Sequence, residues 1–153
     1  MNIKDVINEN LVKLDVEAKD RDSVIAELTE LLYCEGAIES KDVFIESVRS
    51  REQLASTYSG YGIAVPHGIS TTIKKSSICF GRVKPFDWDG TGETPVEFIF
   101  LIAVPDVNVN SGNDQHIDIL SNIAIAALQE DLRNQWSRVE TPMDFIRTLE
   151  SIV

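Results

Sequence analysis

The spacing of apolar positions along this chain changes several times, and each change marks an element. Val12, Leu14 and Val16 alternate with polar residues, which predicts a strand. From Asp20 to Tyr33, residues Val24, Ile25, Leu28, Leu31 and Leu32 form one stripe, a helix that Gly36 closes. Ser40 can cap a second helix that buries Val43, Phe44 and Val48 and carries Arg51 near its C-terminal end. Ile63 to Val65 is a short apolar strand running into Pro66, which has no N–H and cannot extend a central strand. That strand delivers His67 at its end. Another strand is predicted over 77–83, and the run from Val96 to Val104, broken only by Glu97, suits a central strand covered on both faces. A loop over 105–114 leads to a helix at 115–129 with Ile117, Leu120, Ala124 and Leu128 on one face. Leu132, Trp136 and Val139 suggest a further helical piece. Thr141, Pro142 and Asp144 read as cap, first-turn proline and capping acid of a last helix. Helices interleaved with buried strands predict an α/β sandwich, and residues 1–153 are expected to form a single domain without repeats or linkers.

Composition narrows the class. With 153 residues, 43% apolar and 25% charged, the chain can bury a core of ordinary size. No run of about 18 apolar residues occurs, and Met1–Asp5 lacks the basic-then-apolar design of a secretory signal, so a cytoplasmic location is expected. Cys34 and Cys79 stand in no metal or redox spacing and are expected to be small buried hydrophobes. The net charge of −11 argues against a nucleic-acid partner, which needs a basic face. The charge is uneven, however. Between Arg49 and Lys84 six basic residues face one acid, Glu52, giving +5 locally and leaving −16 for the rest. An anionic ligand is expected to be drawn to that third.

His67 lies inside it, one of only two histidines. Gly68 beside it permits unusual backbone angles or a close approach, and imidazole is nucleophilic and partly neutral near pH 7. The segment Arg51-Glu52-Gln53-Leu54-Ala55-Ser56-Thr57, followed by Gly60-Tyr61-Gly62-Ile63-Ala64-Val65-Pro66-His67-Gly68, closely resembles the fructose/mannitol class of enzyme IIA domains. These belong to the bacterial phosphoenolpyruvate-dependent sugar phosphotransferase system, and the resemblance runs over nearly the whole chain. It implies a mixed central sheet of about four to five strands sandwiched by helices. It also implies that His67 accepts a phosphoryl group from the histidine phosphocarrier protein (HPr) and passes it to a IIB component, typically to a cysteine. Membrane association is then indirect, through the IIC transporter, and no cofactor is implied. His116 matches the family's second active-site histidine, placed to donate to the phosphoryl oxygens or to fix the His67 ring. Arg51 matches the arginine near the phosphorylation site, where a planar guanidinium can grip two phosphate oxygens. Thr57 is the better of two hydroxyls (the other is Ser56) for binding phosphate, although capping the turn is an almost equal reading. Arg49, two residues from Arg51, reads as a surface charge.

Two other chemistries fit poorly. Asp106, Asn108 and Asn110 imitate the first, third and fifth ligands of a calcium loop, but Ser111 and Ile117 stand where glycine and glutamate are needed. His67 and His116 have no third histidine or cysteine beside them in a zinc spacing. A regulatory role, in which phosphorylation of His67 controls partner binding as in nitrogen-related members of the family, is the alternative to sugar uptake. Tyr58, Tyr61 and Ile69 flank the site and are the expected apolar contacts for docking partners.

Overall fold

A computed structural model describes residues 3–106 and 115–151 of the chain, without the side chains of residues 115–117 and 151. Five strands build one mixed sheet: β1 (Val12–Lys13), β2 (Ile63–Ala64), β3 (His67–Ser70), β4 (Ser77–Asp87) and β5 (Pro95–Pro105). The long strands β4 and β5 form an antiparallel hairpin, with the register shifting between Arg82 and Phe86. β1 lies parallel to β4 on one side, and β2 and β3 lie parallel to β5 on the other. The helices are α1 (Arg21–Cys34), α2 (Lys41–Leu54), α3 (Gln115–Ala127), α4 (Glu130–Arg138) and α5 (Pro142–Thr148). Their caps follow the sequence: Asp20, Ser40 and Thr141 each accept a backbone N–H in the first turn, and Gly36 closes α1 at a φ of 75°.

The pleat of the hairpin sorts its side chains into two cores. On one face Phe80 stacks on Phe145 of α5 at 3.8 Å between ring centroids, and Trp136 of α4 meets Phe100 edge-on at 5.4 Å. Trp136 also donates its indole N–H to Thr148 at 2.9 Å, so this buried ring has no orphaned polar atom. On the opposite face α1 sits so close that a Cβ on Gly81 would come within 2.9 Å of Leu28. Helix α2 covers β3 on that side. Arg82 fastens the sheet's far edge, donating to the carbonyls of Leu14 (3.1 Å), Trp136 (3.0 Å) and Val139 (2.7 Å). It is therefore a structural cation and no part of an anion site. The charge-rich third of the sequence is not one basic patch.

Several sequence expectations need correcting. The first strand is only Val12–Lys13, although the Val16 N–H still reaches the Arg82 carbonyl at 3.2 Å. Val43 is half exposed, because the inner stripe of α2 is Phe44, Val48 and Glu52, each four residues on, and Val43 stands about 100° away from it. In α3 the buried side is Ile119, Ile123, Ala126 and Ala127, while Leu128 is exposed and Ala124 faces solvent. The stripe Leu120–Ala124–Leu128 is just as apolar but lies one residue round the helix. Cys34 is exposed at the end of α1; Cys79 is buried in β4, where desolvation pushes its thiol far above the ordinary range. The candidate loop 105–114 lies almost wholly outside the described residues.

Candidate active site

His67 does not end a strand; it begins β3. The chain runs alongside β5 as β2, is interrupted at Val65 and Pro66, and resumes at His67 opposite Ile102. Pro66 has no N–H to give, but its carbonyl accepts from the Ile102 N–H at 2.9 Å, so the register to β5 survives the interruption. The strand alternates about Gly68: that residue and Ser70 are buried, while His67 is half-buried and Ile69 exposed. Gly68 keeps an ordinary φ. Its missing side chain is what matters, since a Cβ there would overlap Ser47 Oγ and come within 3.0 Å of both Phe44 and Val48. Glycine thus lets α2 lie directly on the strand that carries the histidine.

The His67 ring is oriented by backbone. Its Nδ1 lies 3.0 Å from the Val65 carbonyl oxygen. A carbonyl can only accept, so Nδ1 carries the proton and Nε2 holds the lone pair of the neutral ring. The arrangement therefore presents one defined nucleophilic nitrogen.

The other residues singled out from the sequence lie mostly on α2 and in the segment that follows it. Arg51, half-buried in the last turn of α2, donates to the Ala55 carbonyl at 2.9 Å, one of the carbonyls a helix end leaves unpaired. Glu52 does not pair with it. Instead its buried carboxylate accepts the Thr57 N–H at 3.2 Å and, through its other oxygen, the Thr57 hydroxyl. The hydroxyl expected to bind phosphate thus gives its one proton to Glu52, and a phosphate contact through that proton requires this bond to open. Ser56 donates to Asp89 at 2.6 Å and accepts from the Tyr58 N–H at 3.1 Å, tying the turn to the tip of the β4–β5 hairpin. Tyr58 is an internal brace, since its hydroxyl donates to the Pro95 carbonyl at 2.9 Å and accepts from the Gly62 N–H. Tyr61 differs: it is 58% exposed, adopts φ = 56° between two positive-φ glycines, and lies under the Arg133 guanidinium at 4.4 Å. Arg49 makes an exposed ion pair with Asp22 at 3.9 Å. His116 is the second residue of α3, and its side chain lies outside the described residues.

Sequence reasoning overlooked Glu52 as a site residue. Its signal was present, for it continues the Phe44–Val48 spacing by four and so places a carboxylate on a buried face. Among the described residues no group of three or more His, Cys, Asp or Glu is arranged to hold a metal ion.

The family model for the phosphoenolpyruvate-dependent sugar phosphotransferase system, EIIA 2, matches residues 5–152. The chain belongs to that family. Among relatives of this EIIA 2 chain, the fructose-specific EIIABC component of the phosphotransferase system from Bacillus subtilis is 28% identical over 142 residues. That match takes in 92% of this chain but only 22% of the relative's length. The nitrogen regulatory protein IIA-Ntr from Neisseria meningitidis superposes with a TM-score of 0.84 at 27% identity, covering 96% of this chain and 98% of that one. Enzyme IIAMTL from Escherichia coli, solved in complex with phosphorylated enzyme IIBMTL, has the same fold: TM-score 0.80 at 18% identity, over 95% of this chain and 99% of the other. The mixed sheet with helices on both faces, expected from the sequence, is the fold of these EIIA proteins.

Proposed function

We propose that this EIIA 2 domain is the IIA component of a sugar phosphotransferase system and carries a phosphoryl group on Nε2 of His67. The observation that carries the reading is the bond from His67 Nδ1–H to the Val65 carbonyl, which leaves Nε2 as the basic nitrogen of a partly exposed ring. In the forward step the Nε2 lone pair attacks phosphorus in line. The bond to the phosphohistidine nitrogen of HPr breaks, and its electron pair returns to that ring. The product on His67 has phosphorus on Nε2 and a proton on Nδ1, and the Val65 carbonyl faces the positive charge this creates. The second step reverses the roles, with a IIB cysteine thiolate as nucleophile. Arg51 neutralises the equatorial oxygens as charge spreads over them in a loose transition state. His116 adds a donor at the start of α3, where the helix end favours negative charge. Thr57 serves chiefly by holding the turn. The domain works in the cytoplasm and meets the membrane only through its IIC transporter.

The experiment is phosphorylation from radiolabelled phosphoenolpyruvate with enzyme I and HPr. His67→Ala is expected to abolish acid-labile, base-stable labelling; full labelling of that variant overturns the assignment. Arg51→Ala and His116→Ala should keep the acceptor but slow transfer roughly 10- to 100-fold, the cost of one charge-assisted contact. The likeness to a nitrogen regulatory IIA at 27% identity supports a second reading, in which the phosphorylation state of His67 controls a regulatory partner. A survey of IIB acceptors separates the two, since a regulatory module passes its label to none.

A further inference from the structure

We propose that Glu52 is a positioning residue for His67, setting the tautomer of its imidazole through Thr57 and Val65. The inference rests on the reading of His67 as nucleophile. Three consecutive links make the path. Glu52, 7% exposed, takes both donors of Thr57, the N–H at 3.2 Å and the hydroxyl. Thr57, 5% exposed, is thereby fixed, and its carbonyl accepts the Val65 N–H at 3.0 Å. The Val65 carbonyl in turn accepts His67 Nδ1–H at 3.0 Å.

Neighbouring bonds hold the same stretch: the Thr57 carbonyl also accepts from the Ser59 hydroxyl at 3.2 Å, and Ala64 pairs with Ile99 of β5. Pro66 has a fixed φ, which limits how the chain can turn between the Val65 carbonyl and His67. Its own carbonyl is held by Ile102 of β5 at 2.9 Å, which anchors the peptide entering His67. Between that anchor and the pairing of Ala64 with Ile99, the N–H bond of Val65 to Thr57 helps to fix the residue that carries this carbonyl. From outside, Asp89 buttresses the same turn, accepting from Ser56 at 2.6 Å with Arg21 at 3.7 Å from its other oxygen. A buried carboxylate is costly to desolvate, and Glu52 offsets that cost through the two Thr57 donors it accepts. The use of that arrangement is at the ring. A neutral imidazole in water prefers the proton on Nε2, which would remove the lone pair from the nitrogen that must attack. The Val65 carbonyl reverses this preference, and Glu52 keeps that carbonyl in place.

The test uses the full chain, labelled with nitrogen-15, and reads the His67 tautomer by NMR alongside the rate of transfer from phosphorylated HPr. Glu52→Ala leaves two buried Thr57 donors without an acceptor. It should shift the ring toward the Nε2–H tautomer and slow transfer roughly tenfold, as expected for one lost hydrogen bond. Glu52→Gln can accept the Thr57 N–H through its amide oxygen and donate to the Thr57 hydroxyl, so it should restore both readouts. If Glu52→Ala does not fold, Glu52→Asp keeps the charge but stops one methylene short of Thr57, and should shift the tautomer in the same direction. A folded Glu52→Ala or Glu52→Asp with the native tautomer ratio overturns the proposal. So does a Glu52→Gln that behaves like Glu52→Ala, because the charge and not the hydrogen bonds would then be responsible. The tautomer is read without any phosphoryl donor, whereas the phosphorylation reading stands or falls on His67→Ala labelling. Either can therefore fail alone.

Discussion

Replacing Gly68 by alanine tests how closely α2 and the histidine strand depend on each other. The new methyl would overlap Ser47 Oγ and stand 3.0 Å from Phe44 Cε1 and Val48 Cγ2. Ser47 can turn aside, but it then loses its 2.7 Å bond to the Phe44 carbonyl, a loss of about 1 kcal/mol. Phe44 and Val48 have no such freedom, because both are fully buried. Overpacking of this kind costs about 1–3 kcal/mol, so Gly68→Ala should destabilise by about 2–3 kcal/mol. Urea unfolding measures it as a lower midpoint at unchanged slope. Adding Ser47→Ala removes the worst obstacle, and the double variant should recover about 1 kcal/mol of the loss, a coupling expected only of residues in contact. Displacing α2 also moves Arg51 and Glu52 relative to His67, so the folded variant should transfer phosphate at least about tenfold more slowly. A Gly68→Ala protein within about 0.5 kcal/mol of the native one would show that α2 does not rest on the strand in the way described.

Further perturbations probe other parts of the molecule. Burial opposes ionisation of Glu27, but Lys13 at 3.0 Å and the N–H groups of Glu17 and Ala18 outweigh it and hold the carboxyl below its usual range. A carboxyl depressed on folding stabilises above its unfolded value and ceases to do so as pH falls through its folded value. Glu27→Gln should therefore cost about 1 kcal/mol near neutrality, with the gap closing in thermal melts taken through the acid range. Tyr61→Ala should weaken docking of HPr more than Lys74→Ala, since Tyr61 is an exposed aromatic and Lys74 pairs with Glu39 at 3.8 Å. Stopped-flow transfer across a salt series checks both that ranking and electrostatic steering by this acidic domain, which predicts slower transfer as salt rises. A flat salt response removes the steering, and a silent Tyr61→Ala moves the interface elsewhere.

Local rules made much of this fold legible in the sequence. The caps at Ser40 and Thr141 and the apolar run of β5 each depend on a few neighbouring residues, and each stands where the pattern places it. What failed was the choice between two equally apolar stripes. In α3 both Ile119–Ile123 and Leu120–Ala124 satisfy helical spacing, and only contact with β5 and α4 selects the former. Strand pairing was likewise hidden. Nothing local shows that β2 and β3 are two parts of one path along β5, because the bridging bond from Ile102 to the Pro66 carbonyl spans 36 residues. That one fact turns His67 from the end of a strand into the start of one.

The same distinction separates what the candidate site disclosed from what it concealed. His67 was conspicuous because proline and glycine punctuate it, and those constraints are local. Glu52 was overlooked because its bonds to Thr57, five residues on, form only when the chain turns after α2, and a charge count treats it only as the lone acid among six cations. Arg82 misled in the opposite direction, adding to the apparent basic third while its guanidinium is taken by carbonyls on the far side of β4. A charge in sequence is thus a poor guide to a field at a site. What decides is whether its hydrogen-bonding valence is already committed. By that criterion the Thr57 hydroxyl and the Arg82 guanidinium belong to the scaffold. Arg51 differs, since the Ala55 bond occupies one donor of its five-donor fork.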